Sequence, residues 1–457
     1  MKRKVLRILS IVMALVMIAG LAACGAAQEK PAAEAPAADA PAVAEEATQP
    51  EETKAEETKQ LEPVTVKLWT LWTESADDSN KKAFYRVLEN VKKDHPNITI
   101  EHDATENEAY KTKLKTAIAA NEAPDVFFAW GAGFVKPFVD AGKVLALDEF
   151  LSDGTKEKLA AGNTTNFTFN GKIYGLTAYQ WVAALYCNKE LFDQNSIKLP
   201  ETYDDLLAAV KAFRAKGIEP ITVGEKDRWP GMFWQNAFAL RTATAQTCLD
   251  ALAKTTSFDT PEFAESAAKL KELVDAKAFI SGNMGLTYDE GNAAFLEGTI
   301  PMYYMGNWFA GNIQSDDSKV KDKVVALKFP ALPGAKGDPN EFLGGSIDGF
   351  CVSNDTKVKD AAVLLAKYFP EQMAIDLNNS GEGLPTWNVP AATGEINPVT
   401  KQIMALTKDA KGYVLAWDTF LEGAEAETHK NLVAEIFGSK ITPENFAKEM
   451  QKLNEKK

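Results

Sequence analysis

The chain has 457 residues, a formal net charge of -14, 9 tryptophans, 3 histidines and 4 cysteines. So acidic a balance argues against nucleic acid or an anionic lipid surface as partner. His95, His102 and His429 stand in no metal spacing and beside no nucleophile, and the cysteines form neither a disulfide framework nor a zinc pattern. No catalytic residue, metal ligand or cofactor is therefore assigned.

Lys2, Arg3, Lys4 and Arg7 precede an apolar run from about Ile8 to Ala19, and Leu21-Ala22-Ala23-Cys24 follows. A basic start, an apolar segment of roughly 7 to 15 residues and small residues before a cut make a secretory signal. The cysteine just after the cut resembles the acceptor of a bacterial lipoprotein's diacylglyceryl group. Residues 1–23 are thus expected to be removed, leaving lipidated Cys24 to tether the chain to the extracytoplasmic face of the cell membrane. The alternative is an uncleaved anchor with Cys24 a bystander thiol, but the apolar run falls short of the roughly 20 residues that span a bilayer.

Residues 24–62 continue as a spacer of Ala, Pro, Glu, Thr, Lys and Gln without an aromatic residue. Such a composition buries too little apolar surface to offset its ordering entropy, so it is expected to be a disordered acidic linker with a coil reach of roughly 35 Å. Loss of the four signal bases takes the net charge from -14 to -18; the spacer's ten acids and three bases account for -7, leaving -11 on the folded part. The remaining cysteines, Cys187, Cys248 and Cys351, have apolar flanks and are expected as buried thiols.

The roughly 395 residues after Pro63 exceed what one core usually organises. Thr65 to Trp72 reads as a strand. A helix from Ser79 to Asp94 follows, with Phe84, Val87, Leu88 and Val91 on one face and a stop at His95-Pro96. Ile98 to Glu101 is a second strand, Tyr110, Leu114, Ala117 and Ile118 mark a second helix, and Pro124-Asp125 opens a strand from Val126 to Ala129. Further on, Thr202 with Asp205 forms a capping box, and Thr260-Pro261 starts another helix. Alternating strands and helices predict an α/β fold with mostly parallel sheets, whose ligands gather beyond the carboxyl ends of the strands.

Many tryptophans follow strands or sit in Gly- or Pro-containing loops; Trp69 and Trp234, in mid-strand and mid-helix, are expected in the core. Loop tryptophans beside Asp, Asn, Gln and Gly suit a carbohydrate. A pyranose has an apolar face that stacks on an indole and a rim of hydroxyls that meets amides and carboxylates.

From Val64 to the C-terminus the chain resembles the extracytoplasmic solute-binding lipoproteins of carbohydrate ABC importers, the family that includes maltose-binding protein. The resemblance rests on VTVKLWTLW (64–72), EAPDVFFAW (122–130), GKIYGLTAYQWVAALYCNKELF (171–192), FLEGTIPMYYMGNW (295–308), FLGGSIDGFCVSND (342–355) and GLPTWNVP (383–390). It implies a two-lobed periplasmic-binding-protein-like α/β fold with a ligand cleft between the lobes. One lobe would comprise 64–178 plus 346–380, the other 182–342 plus 384–457, with hinge segments near 179–181, 343–346 and 380–383. The resemblance places Trp72, Thr73, Glu74, Trp130 and Gly131 on the first lobe's sugar-facing side. Trp181, Trp229, Trp308, Trp387, Trp417 and Asp418 would face them from the other lobe, with Tyr179 and Asp348 at the crossing.

The chain departs from the maltose-binding branch, where an Asp-Lys pair follows the first strand and an Asp-Arg pair the third. Thr73-Glu74 and Ala132-Gly133 occupy those places, so the charged sugar clamps are missing. The resemblance implies a monomeric, non-enzymatic protein that captures a sugar and passes it to ABC permease subunits in the membrane. The alternatives are an exported glycoside hydrolase using a carboxylate pair from Glu74, Asp348, Glu382 and Asp418, a carrier of a polyamine or ferric ion, and a surface sensor.

Overall fold

The computed structural model describes residues 62–74 and 78–455; the expected signal, Cys24 and all of the spacer but Glu62 lie outside the described residues. The described chain falls within one unit, Gln60–Lys457. It begins with β1 (Val64–Thr70), which buries Val66, Leu68 and Thr70 on one face as a period of two requires. Next comes α1 (Ser79–Asp94), started by the Asp78 carboxylate, which accepts the Lys81 N–H at 2.8 Å. Ala83, Phe84, Val87 and Val91 form its buried stripe. β2 (Ile98–Ala104), α2 (Asn107–Ala119) and β3 (Val126–Trp130) follow. β1 runs parallel to β2 from Val64 opposite Ile98 to Thr70 opposite Ala104, and parallel to β3 at Leu68 and Val126. The alternation expected for this part is present; the first strand stops at Thr70, two residues early, leaving Trp72 in the turn beyond it.

Farther along lie β4 (Leu176–Thr177), β5 (Trp181–Asn188), α3 (Tyr203–Ala215), β6 (Ile221–Thr222), α4 (Trp229–Thr242) and α5 (Pro261–Asp275). The expected capping box opens α3: Thr202 Oγ1 accepts the Asp205 N–H, and Asp205 Oδ2 accepts the Thr202 N–H at 3.0 Å. β7 (Met302–Gly306), β8 (Val324–Leu327), β9 (Glu341–Gly345), β10 (Asp348–Val352), α6 (Lys359–Asn379), β11 (Gly412–Val414), α7 (Trp417–Phe420) and α8 (Gly423–Phe437) complete the elements used below. Two principal sheets result. The first has the order β2-β1-β3-β10-β4; the second runs β11-β9-β5-β7-β6, with β8 also paired to β5. β3 and β5, central in their sheets, are buried at every position, as strands covered on both faces must be. Cys187, Cys248 and Cys351 are buried free thiols.

The chain passes from the first sheet to the second between Thr177 and Trp181, and back between Gly345 and Asp348. Gly344 and Gly345 hold φ at 153° and 142°. A Cβ at Gly344 would lie 2.3 Å from the Trp181 carbonyl oxygen, so glycine alone allows the two passages to touch. The third passage runs first along the first-sheet half. Residues 384–388, assigned above to the second lobe, pack on the first-sheet half. The Ala160 N–H donates to the Thr386 carbonyl at 2.9 Å and the Asn388 N–H to the Lys158 carbonyl at 2.7 Å. Only beyond them does the chain join the second half, where Gln402 Oε1 accepts the Ala326 N–H of β8 at 2.8 Å. The physical reason is pairing: the backbone groups of 384–388 find partners in the 158–160 loop and in residues 178–180 of the first passage.

Candidate functional site

A cavity of about 460 Å3 opens between the two sheets, at the carboxyl ends of β1 and β3 and beside both passages. Leu71, Trp72 and Thr73 come from the turn after β1, Trp130 from the end of β3, and Asp348 from the start of β10, directly opposite Trp130 in register. The first half adds Asp78 and Asn80 at the start of α1, and Glu106, Asn107 and Lys111 at the start of α2. From the second half come Trp181, Lys226, Asp227, Trp229, Phe233, Thr287, Tyr288, Asp289, Trp308, Asp418 and Thr419.

The second wall is a continuous aromatic surface. Trp181 stacks on Phe233 at 5.3 Å with planes 6° apart, and Trp308 meets Trp181 edge-on at 5.3 Å. Trp229 joins Phe233 at 5.1 Å and Tyr288 at 4.9 Å. The Trp308 indole N–H donates to the Tyr288 hydroxyl at 2.9 Å, which fixes the ring plane while leaving the residue half-buried. Gly306 makes room for it: a Cβ there would lie 2.1 Å from the Trp308 ring.

The first wall is polar. Trp72 lines the cavity but is only 2% exposed, wedged against Phe84 and Phe128 at 5.0 Å each. Trp130 meets Phe128 and Phe134 edge-on at 5.0 and 5.1 Å, and the Lys111 ammonium sits 4.9 Å from its ring centroid. Tyr179, in the first passage, hydrogen-bonds Asp348, which follows the second. Burial pushes the Asp348 carboxyl up to about 7, and the charge of Asp78 adds to this against the Tyr179 hydrogen bond. Partial burial, reinforced by the charge of Asp227, raises the carboxyls of Glu106 and Asp289. Carboxylates from both halves therefore sense one another across the gap. Among the described residues no group of three His, Cys, Asp or Glu side chains is arranged to hold a metal.

Of the residues singled out from sequence, Trp72, Thr73, Trp130, Tyr179, Trp181, Trp229, Trp308, Asp348 and Asp418 line this one cavity. Four do not. Glu74 is exposed outside it. Gly131 faces away, where a Cβ would lie 2.5 Å from the Asn166 carbonyl oxygen. Trp387 is buried in the first half with its indole N–H donated to the Thr177 carbonyl at 2.7 Å. Trp417 is wholly buried against Phe258, Phe263 and His429, one residue from cavity-lining Asp418. Trp234 lies in the core as expected, and Trp69 is half-buried on the first sheet under Lys113. The lining residues that sequence reading passed over cluster at helix starts: Asp78 caps α1, Glu106 precedes α2, and Thr287 has a capping box with Glu290. The capping residues Asp78 and Thr287 carried a local signal, an acceptor side chain at a helix start, that could have found them.

A two-sheet α/β molecule with one aromatic and polar cleft at its crossing strands has the architecture of a binding protein. Residues 76–369, well over half of the chain, match the family model described as bacterial extracellular solute-binding protein. The chain belongs to that family. A solved structure from work on xylan utilization by the thermophilic bacterium Caldanaerobius polysaccharolyticus is 45% identical with a TM-score of 0.81, covering 85% of this chain and 99% of that one. A chitin oligosaccharide binding protein is 27% identical with a TM-score of 0.77, covering 86% and 98%. An uncharacterized ABC transporter extracellular-binding protein of Pyrococcus horikoshii is 26% identical over 62% of this chain and 67% of its own length. Among the described residues no helix is long and apolar enough to cross a membrane.

Proposed function

We propose that this protein captures a sugar, an oligosaccharide, in the cleft between its lobes and delivers it to the permease subunits of an ABC importer. The observation that carries the reading is the single cavity shared by Trp72, Trp130, Trp181, Trp229 and Trp308, with amide and carboxyl groups set among the rings. The indole faces of the second wall take the C–H face of a pyranose; Asn80, Asp78, Asp227 and Asp348 accept from or donate to its hydroxyls. A micromolar site needs about 8 kcal/mol net, within reach of two or three stacked rings and several hydroxyl contacts. The names of the xylan-related and chitin oligosaccharide neighbours support a glycan ligand.

The lobes are assigned as 64–178 plus 346–380 and 182–342 plus 384–457, with 384–388 moved to the first. A ligand held by both stabilises the closed arrangement, a population shift driven by contacts that exist only when the lobes meet. The protein acts as a monomer without catalysis, tethered through a diacylglyceryl group on Cys24 by the spacer. Thermal shift and calorimetry with xylotriose, chitotriose and maltotriose test the reading. At least one should raise the melting temperature by several degrees and bind with micromolar or tighter affinity. Silence toward all three, with a response to spermidine, would replace the sugar by a polyamine; released reducing ends would make the protein a hydrolase.

A further inference from the structure

Lys111 is the one lysine of the cleft wall that is buried, 8% exposed, and it is absent from the sugar-facing residues that sequence suggested. Its ammonium is anchored on both sides of the gap. On its own helix α2, Glu108 Oε1 accepts at 2.9 Å; from α7 on the opposite half, Asp418 Oδ2 accepts at 3.1 Å. The other oxygen of Glu108 takes Lys430 of α8 at 2.9 Å, and Lys430, 1% exposed, also holds Glu427 at 2.9 Å. Arg228 closes the chain on Glu427 at 3.0 Å. The network thus balances three cations against three carboxylates and joins the two halves beside the cavity. Burial alone would raise the Glu108 carboxyl, yet Lys111 and Lys430 hold it down to about 2.

Two features aim Lys111 at a ligand. An ammonium has three N–H donors; among the described residues carboxylates take two, leaving one for an acceptor in the cavity that the side chain lines. The same ammonium covers the Trp130 ring, so this end of the cavity offers a seated cation where sequence suggested a bare indole platform. Resting on the sugar reading above, we infer that Lys111 is a further ligand-contacting residue, donating to a hydroxyl or ring oxygen of the sugar unit beside Trp130. It also ties sugar binding to lobe closure, because Asp418 completes its seat only when the halves meet. The charged clamp missing from the strand ends is supplied here from α2 and α7.

The experiment titrates whichever of xylotriose, chitotriose and maltotriose binds the wild-type protein best into K111M and D418N, with melting temperatures measured alongside. A lost charge-assisted hydrogen bond should weaken K111M by about 10-fold or more. D418N keeps Lys111 paired with Glu108 and folds without an orphaned cation; it should lose about 3-fold or more, and its sugar-induced decrease in radius of gyration by small-angle scattering should shrink. Binding of D418N within two-fold of wild type, with full compaction, overturns the inference even if K111M does not fold, as does a folded K111M that binds like wild type. Failure of wild type to bind any of the sugars overturns the sugar reading and this inference with it.

Discussion

The two walls of the cleft are built from the same residue types and used in opposite ways. On the first-sheet side Trp72 is sunk between Phe84 and Phe128, and Trp130 reaches the cavity with the Lys111 ammonium over its ring. Asp78, Asn80, Glu106 and Lys111 do the facing. On the second-sheet side Trp181, Phe233, Trp229, Tyr288 and Trp308 brace one another into a surface, with Asp227 and Asp289 at its edge. One lobe thus offers hydrogen bonds and the other apolar faces. That division suits a ring whose rim and face differ in polarity, and it means that an indole's address in a loop does not reveal its work.

The largest effect should come from a tryptophan that is not in the cleft at all. Trp417→Ala removes a fully buried indole and should cost about 3 to 5 kcal/mol of stability in denaturant unfolding, while the folded fraction keeps wild-type sugar affinity. A large affinity change with intact stability would move Trp417 to the second wall. Next, Trp308→Ala should weaken sugar binding by about 10-fold or more in calorimetry, with the fold retained, whereas Trp72→Phe should change affinity by about 2-fold or less. Equal losses at the two positions would erase the contrast between the walls.

The last effect concerns the crossing, where the walls meet, and is read from a pH dependence. Asp348 has its folded-state pKa raised to about 7, so the folded chain binds an extra proton between the ordinary carboxyl range and neutrality. Its charging therefore costs nothing below about pH 4, costs progressively more as pH rises, and costs fully above about pH 7. Asp348→Asn should remove that penalty. The stability of the variant relative to wild type should rise between pH 4 and pH 8, by up to roughly 4 kcal/mol in paired denaturation curves. A difference independent of pH would mean that the carboxyl titrates normally.

Much of this molecule follows from local pattern. Apolar residues at periods of two and of three to four, punctuated by Asp78, His95-Pro96, Thr202 and Thr260-Pro261, determine the strand and helix alternation, because those signals act within a turn or two of chain. The same alternation places the cleft beyond the strand ends, and so puts Trp72, Trp130, Trp181 and Trp308 near it. What local pattern lacks is a period in the loops. Nothing within a few residues distinguishes Trp417, whose ring goes into the core, from Asp418, whose carboxylate goes into the cavity. Trp387 likewise answers to Thr177, 210 positions away. The pairing of Lys111 with Asp418 spans 307 positions. Such contacts exist only once two separately stabilised sheets have been brought face to face, and tertiary packing alone decides them.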